Sequence, residues 1–399
     1  MIRIMTLACL LGACTISWAQ KKEISQAKSY VKSGTNLDKA EQLMEGLLKK
    51  DTANRSNPKI YLTWMQAVEK QYEIANEKLY LKQKYDTAAF FNLTRKLYGI
   101  AETLDSIDAQ PDEKGRVKLR YREDNAEKLD RLRQNLYYGG TFHLRKEQLT
   151  LAYGFFQCYL NSAQQPLFES YQYQKTDTLL SEVAYWACYT GYKMHDAEHT
   201  LRYFDCAVKD TAKAHYAIQY ACEAYHWQGD EANYLNMLKR GFGQYPEFNY
   251  FFPRLIDYYN SKERPDSALF YADEALRTNP DNELFLLARS VALLNLERYD
   301  ECIRVSERLI AKNDTLAEPY FNIATAKLNQ VLAIERLNQP RVYREQIHRL
   351  YMEARPYMEA YRKLEPGERH KWAPALYRIY LNLNMGKQFE EIDKIMRKL

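Results

Sequence analysis

Along residues 181–331, apolar positions return at helical spacing, and the whole arrangement repeats every 34 residues without a gap. Units start at Ser181, His215, Asn249, Glu283 and Ala317. In the unit from Asn249, Phe252, Leu255 and Tyr259 fall three and four residues apart and make one stripe of a first helix. Ala268 and Ala275 mark small positions in a second helix, and Pro280 ends it, because a residue without an amide donor stops a helix at little cost. The unit from His215 repeats the pattern with Ile218, Ala221, Cys222, Tyr225, Gly241 and Pro246, and Gly229-Asp230 marks the turn between its helices. The unit from Glu283 keeps Leu286, Ser290, Leu293 and Cys302; the unit from Ala317 begins with Tyr320, Ile323 and Ala324. Ala184, Cys188, Thr200 and Ala207 carry the unit from Ser181. Three residues depart from the pattern: Ile256 and Tyr234 are large where small residues belong, and Arg289 is charged where an apolar one belongs.

A helix–turn–helix unit of this period resembles the tetratricopeptide repeat (TPR). The resemblance implies an all-α, right-handed superhelical solenoid of antiparallel helix pairs, in which the small positions meet where two backbones come closest. Volume forced in there costs about 1–3 kcal/mol. No unit buries its stripe alone, so stability comes from stacked neighbours. A further unit starts at Arg133 with Leu136, Gly140, His143, Ala152 and Phe156. Between it and Ser181, residues Asn161–Thr176 are expected to form a loop lying off the repeat. The unit from Ala317 is expected to carry a long second helix through Ala354 towards Pro366, with a kink or a helix start at Pro356. Residues 370–399 read as a capping pair.

The N-terminal third shows helical spacing in Leu37–Lys50, Lys59–Lys82 and Asp86–Leu104. Residues 20–107 are therefore expected to be an irregular helical pair or trio that starts the stack. Residues 108–116 form a polar linker, and 117–399 form the solenoid. The segment Pro111–Gly115 (PDEKG) and the ending Pro356–Pro366 (PYMEAYRKLEP) resemble a family of exported TPR proteins from Gram-negative gut anaerobes.

Export is also suggested by residues 1–19, where Arg3 precedes a short apolar run and Ser17-Trp18-Ala19. Small residues at these spacings predict cleavage after Ala19, and the apolar run is too short to span a bilayer comfortably. The expectation is a periplasmic chain. Leu11-Gly12-Ala13-Cys14 resembles a lipobox and gives the alternative, a lipoprotein anchored at Cys14. With 57 basic and 52 acidic residues the chain is near neutral and has no run of like charge, so no footprint for nucleic acid is present.

Five cysteines follow the leader. Cys188, Cys222 and Cys302 occupy small buried positions, where a free thiol packs well; Cys158 and Cys206 share another register position. Neither a CxxC motif nor a cysteine zinc site is present. His195-Asp196-Ala197-Glu198-His199 matches the H-x-x-E-H zinc-peptidase string. In the repeat register its histidines straddle the inter-helix turn, which breaks the one-face geometry that zinc binding needs. The expectation is no catalytic residue, no metal and no cofactor.

Asp followed by Ser or Thr and an aliphatic residue recurs, placing Thr52, Thr87, Ser106, Thr178, Thr211, Ser267 and Thr315 in the second position. The tripeptide resembles an O-glycosylation sequon of exported proteins in that bacterial group. Helix capping, which also favours Asp-Ser/Thr, is the competing explanation.

The TPR resemblance assigns partner binding to the concave faces of the first helices. Register places Tyr185, Tyr189, Tyr192, Gln219, Glu223, His226, Trp227, Tyr250, Asp257 and Phe321 there. Tyr and Trp join apolar area to one polar tip, which suits recognition and core packing alike. The expected function is a non-enzymatic scaffold that holds a peptide or envelope protein. The alternative is a glycan-binding protein associated with the outer membrane, since some sugar-binding proteins there carry TPR helices.

Overall fold

A computed structural model of the chain describes residues 20–337 and 342–399. The expected leader, its cleavage after Ala19 and the Cys14 alternative lie outside the described residues. Among the described residues there are helices and no strand. They divide into two compact units, one up to Tyr234 and one from Leu235.

The first unit begins with α1 (residues 20–33), α2 (Leu37–Lys50), α3 (Pro58–Tyr80) and α4 (Thr87–Asp108). The expected pair or trio is thus four helices, because the polar stretch before Leu37 is helical as well. Asn57 accepts the Lys59 amide just before Pro58 opens α3, and Asp86 accepts the amides of Ala88 and Ala89 at the start of α4. A non-helical connection then runs to α5 (Arg122–Asp130), longer than the expected linker. α6 (Arg133–Arg145), α7 (Leu149–Ser162), α8 (Tyr173–Thr176), α9 (Leu180–Lys193), α10 (Ala197–Leu201), α11 (Phe204–Ala207) and α12 (Ala214–Gln228) complete the repeats of this unit. Helices pack in chain order, α3 on α4, α6 on α7, α7 on α9 and α9 on α12. Short turns join the partners of a pair, so these run antiparallel. α13 (Glu231–Gln244) follows.

The insertion 161–176 is not a loop lying off the repeat. Pro166–Tyr171 forms a 3-10 turn and leads into α8, and Leu167, Phe168 and Tyr173 are buried. Phe168 stacks at 5.5 Å on Tyr98 of α4. Arg133 fixes the segment from below: its guanidinium lies 3.8 Å from both the Tyr159 and Tyr173 rings and pairs with Asp177 at 2.5 Å. Its Nε donates to the Ser162 hydroxyl and its Nη2 to the Tyr159 carbonyl.

The second unit contains α14 (Phe251–Ser261), α15 (Pro265–Thr278), α16 (Glu283–Asn295), α17 (Tyr299–Lys312), α18 (Ala317–Glu335), α19 (Arg344–Leu364), α20 (Arg369–Asn382) and α21 (Gly386–Met396). Each packs on the next. Pro356 starts no helix; it lies inside α19, which begins twelve residues earlier at Arg344. Tyr351, Met358, Trp372, Leu376 and Ile392 bury a core shared by the last helices. The large Ile256 is buried in α14, and the anomalous Arg289 donates to Asp273 of the preceding repeat at 2.6 Å.

One backbone feature fixes the register. The turn between paired helices places Glu147, His195, Gly229, Glu263, Glu297 and Asn384 in the left-handed region, with φ of 57°, 57°, 70°, 53°, 59° and 51°. Each is the fifteenth residue counted from Arg133, Ser181, His215, Asn249, Glu283 and His370 respectively. Only one is glycine, so the turn is imposed by packing of the helices and not by local preference. The small positions also behave as expected: Cys188, Cys222, Ala268 and Cys302 are buried. This is a stack of TPR-type helix pairs.

Candidate binding face

α9 and α12, first helices of consecutive repeats, lie side by side in the first unit and bring a row of rings together. Tyr192 stacks on Trp227 at 5.7 Å and 18°, and on Tyr220 at 4.6 Å and 22°. Tyr189 approaches Tyr220 at 5.8 Å. His195, held in the left-handed turn after α9, lays its ring 3.8 Å from Trp227. Tyr189, Tyr192 and Trp227 stay half-buried and His195 is exposed, so the row has an open side.

Tyr185 sits at the closed end. It is buried, and its hydroxyl lies 3.4 Å from that of Tyr220, so it supports the row without offering surface. Tyr220 is central and was not among the expected face residues. Its register position points at the neighbouring helix, where an aromatic residue reads as core. Beside it, Glu182 accepts from Tyr137 at 3.2 Å, Trp186 at 3.4 Å and Lys213 at 3.2 Å. Partial burial raises the Glu182 carboxyl, but the bonds from Lys213, Trp186 and Tyr137 prevail and hold it below the usual carboxylate range.

Gln219, Glu223 and His226 also lie on α12; Gln219 and Glu223 are half-buried and His226 is exposed, its ring 5.2 Å from Tyr234. The remaining expected residues belong to the second unit. Tyr250 is buried, with the Arg254 guanidinium 3.8 Å from its ring. Asp257 is exposed on α14. Phe321 packs into the core of the last helices, 5.1 Å from Tyr361. Tyr250 and Phe321 thus serve packing first.

The H-x-x-E-H string does not converge. His195 belongs to the turn, whereas His199 sits in the first turn of α10, with Nδ1 2.7 Å from Asp196 and its ring 4.2 Å from Tyr153. Among the described residues, no three His, Cys, Asp or Glu side chains group to hold a metal ion. Among the described residues no disulfide joins the five cysteines. Burial pushes the Cys188 thiol up to about 12 and that of Cys302 up to about 11, far from thiolate reactivity.

Four of the seven Asp-Ser/Thr tripeptides close a local turn. Asp51, Asp86, Asp177 and Asp210 each accept the backbone amide two residues on. Thr52, Ser106, Thr178, Thr211 and Thr315 are exposed, and Thr87 and Ser267 are half-buried.

No family profile matches this chain, and no curated protein does. Solved structures resemble it weakly. The C-terminal part of a TPR repeat-containing protein from Cytophaga hutchinsonii aligns over 65% of this chain and 93% of its own, at 13% identity and a TM-score of 0.42. MamA (AMB-1) aligns over 48% of this chain and 94% of its own, at 19% identity and a TM-score of 0.34. The TPR2AB domain of yeast Sti1, in complex with pHSP90, covers 64% of this chain and 99% of its own, at 12% identity and a TM-score of 0.25. Likeness this low carries neither ligand nor activity across. Among the described residues no helix is long and apolar enough to cross a membrane.

Proposed function

We propose that this chain is a non-catalytic, exported scaffold that binds a peptide or envelope protein through the aromatic row of α9 and α12. The observation that carries the reading is the half-open stack Tyr192–Trp227 with His195 beside it. Ring surface of this kind is costly to leave wet and is the commonest anchor of recognition. The stiffness of the supporting Tyr185–Tyr220 pair lowers the ordering cost of binding. Export after Ala19 into the periplasm, as in the gut-anaerobe family that the sequence resembles, belongs to the same proposal, with Cys14 lipidation as its variant.

Tyr192 and Trp227 stacked at 18° would also serve as a platform for a sugar ring, which gives the glycan reading its support. The test compares wild type with Tyr192→Ala and Trp227→Ala chains in affinity capture after cross-linking of cell envelopes. Loss of one defined protein by both variants, at unchanged melting temperature, supports the scaffold. Capture unaffected by either variant removes this face from the account. Saturable quenching of tryptophan fluorescence by oligosaccharides, abolished in Trp227→Ala, selects the glycan reading.

A further inference from the structure

The C-terminal cap of the second unit holds a cavity of about 320 Å³ that the repeat architecture does not require. Three elements meet around it: Arg362 from α19, Arg369 and Trp372 from α20, and Lys394 and Lys398 from and just after α21. Four cations and one tryptophan thus line one cavity. Arg362 is held by Glu391 at 2.5 Å, and its guanidinium lies 4.9 Å from the Trp372 ring. Arg369, Lys394 and Lys398 form no ion pair among the described residues. Two neighbouring acids are engaged elsewhere: Glu368 takes Lys371 at 3.3 Å, and Asp393 takes Arg397 at 2.8 Å. The Trp372 indole is 3% exposed, and its N–H has no acceptor.

Three of the four cations lining this cavity have no ion-pair partner among the described residues. Arg369, Lys394 and Lys398 are exposed, so water screens their mutual repulsion, and an anion seated among them would be attracted by all three. A single carboxylate offers one charge, whereas a phosphomonoester carries nearly two and three acceptor oxygens, which matches the cations better. The cavity exceeds what a phosphate group alone fills, which leaves room for an attached group. The first turn of α20, which begins at Arg369, adds a favourable dipole.

We infer that the cavity between α19, α20 and α21 binds a phosphomonoester, with Arg369, Lys394 and Lys398 on the phosphate. This site is separate from the aromatic row of the first unit and stands or falls independently of it.

The test is calorimetric titration of the full chain at low salt with glucose 6-phosphate, glucose, inorganic phosphate and phosphatidic acid vesicles. At least one phosphate probe is expected to bind and glucose is not. Binding of the free phosphates assigns a soluble ligand, and binding of the vesicles alone assigns a lipid source of the same group. The Lys394→Gln/Lys398→Gln chain should weaken binding by about tenfold or more, while Arg397→Gln, on the same helix but paired with Asp393, should change it little. Circular dichroism establishes that both variants fold. No phosphate binding, or binding equal in the two variants, overturns the inference.

Discussion

His195 adopts φ of 57° in the turn after α9 and rests its ring 3.8 Å from Trp227 of the next repeat. The same left-handed site holds glutamate at 263 and 297, where no comparable ring contact repays the strain. Glu263→Gly and Glu297→Gly should therefore raise stability by a few tenths to about 1 kcal/mol in urea unfolding. His195→Gly should gain less, because it also removes the contact with Trp227. A loss of stability in both glutamate variants would show that the turn is not strained.

Close backbone approach gives a sharper effect. A Cβ added to Gly191 would fall 2.5 Å from the Thr200 amide nitrogen, whereas one added to Gly243 meets nothing within 4 Å. Gly191→Ala is expected to cost about 1–3 kcal/mol in chemical denaturation, while Gly243→Ala is neutral or stabilising. Likewise Ala268→Arg puts a charge and new volume at a fully buried helix contact and should lower the melting temperature well below that of Glu263→Arg, which alters an exposed turn.

The insertion depends on one cation. Arg133 lies between Tyr159 and Tyr173 and pairs with Asp177, so Arg133→Met leaves a largely buried carboxylate without its partner. We expect a loss of about 3–5 kcal/mol, with faster proteolysis within residues 161–176. Arg133→Lys should fail to rescue, since an ammonium cannot fill the planar slot between two rings. Full rescue by lysine would mean that charge alone holds the segment.

Acid should favour the first unit at one residue. Burial raises the Glu102 carboxyl from its ordinary 4.5 to about 7. Both states are protonated below about 4.5, and above it the unfolded state alone releases its proton, so stability falls as pH rises to about 7. Glu102→Gln should therefore match wild type near pH 4 and exceed it at pH 8, by on the order of 1–2 kcal/mol after allowance for partial solvent contact. Parallel stability curves for the two chains would exclude this.

Much of the fold is legible because helix pairing leaves periodic traces. Leu37–Lys50 is found with its expected bounds, and the left-handed turn falls at the same register position in glycine and non-glycine repeats. Contacts between segments distant in sequence leave no such trace. Nothing periodic joins Phe168 to Tyr98, so the insertion read as a loop. Gly191 stands where the following repeats carry Tyr225, Tyr259 and Leu293, and nothing in that difference tells of its closeness to Thr200. In the aromatic row, register placed Tyr189, Tyr192 and Trp227 together, but not Tyr220, because a core tyrosine and a supporting one look alike in sequence.

The central claim is that the partner meets the first helices of the repeats at Ser181 and His215. The direct test is a photo-cross-linking residue at Gln219, on that face, and at exposed Glu198 of α10, in cells producing the chain. The account predicts one discrete adduct from position 219, none from position 198, and loss of the adduct when Trp227→Ala is added. Equal adducts from both positions, or an adduct that survives Trp227→Ala, would contradict it.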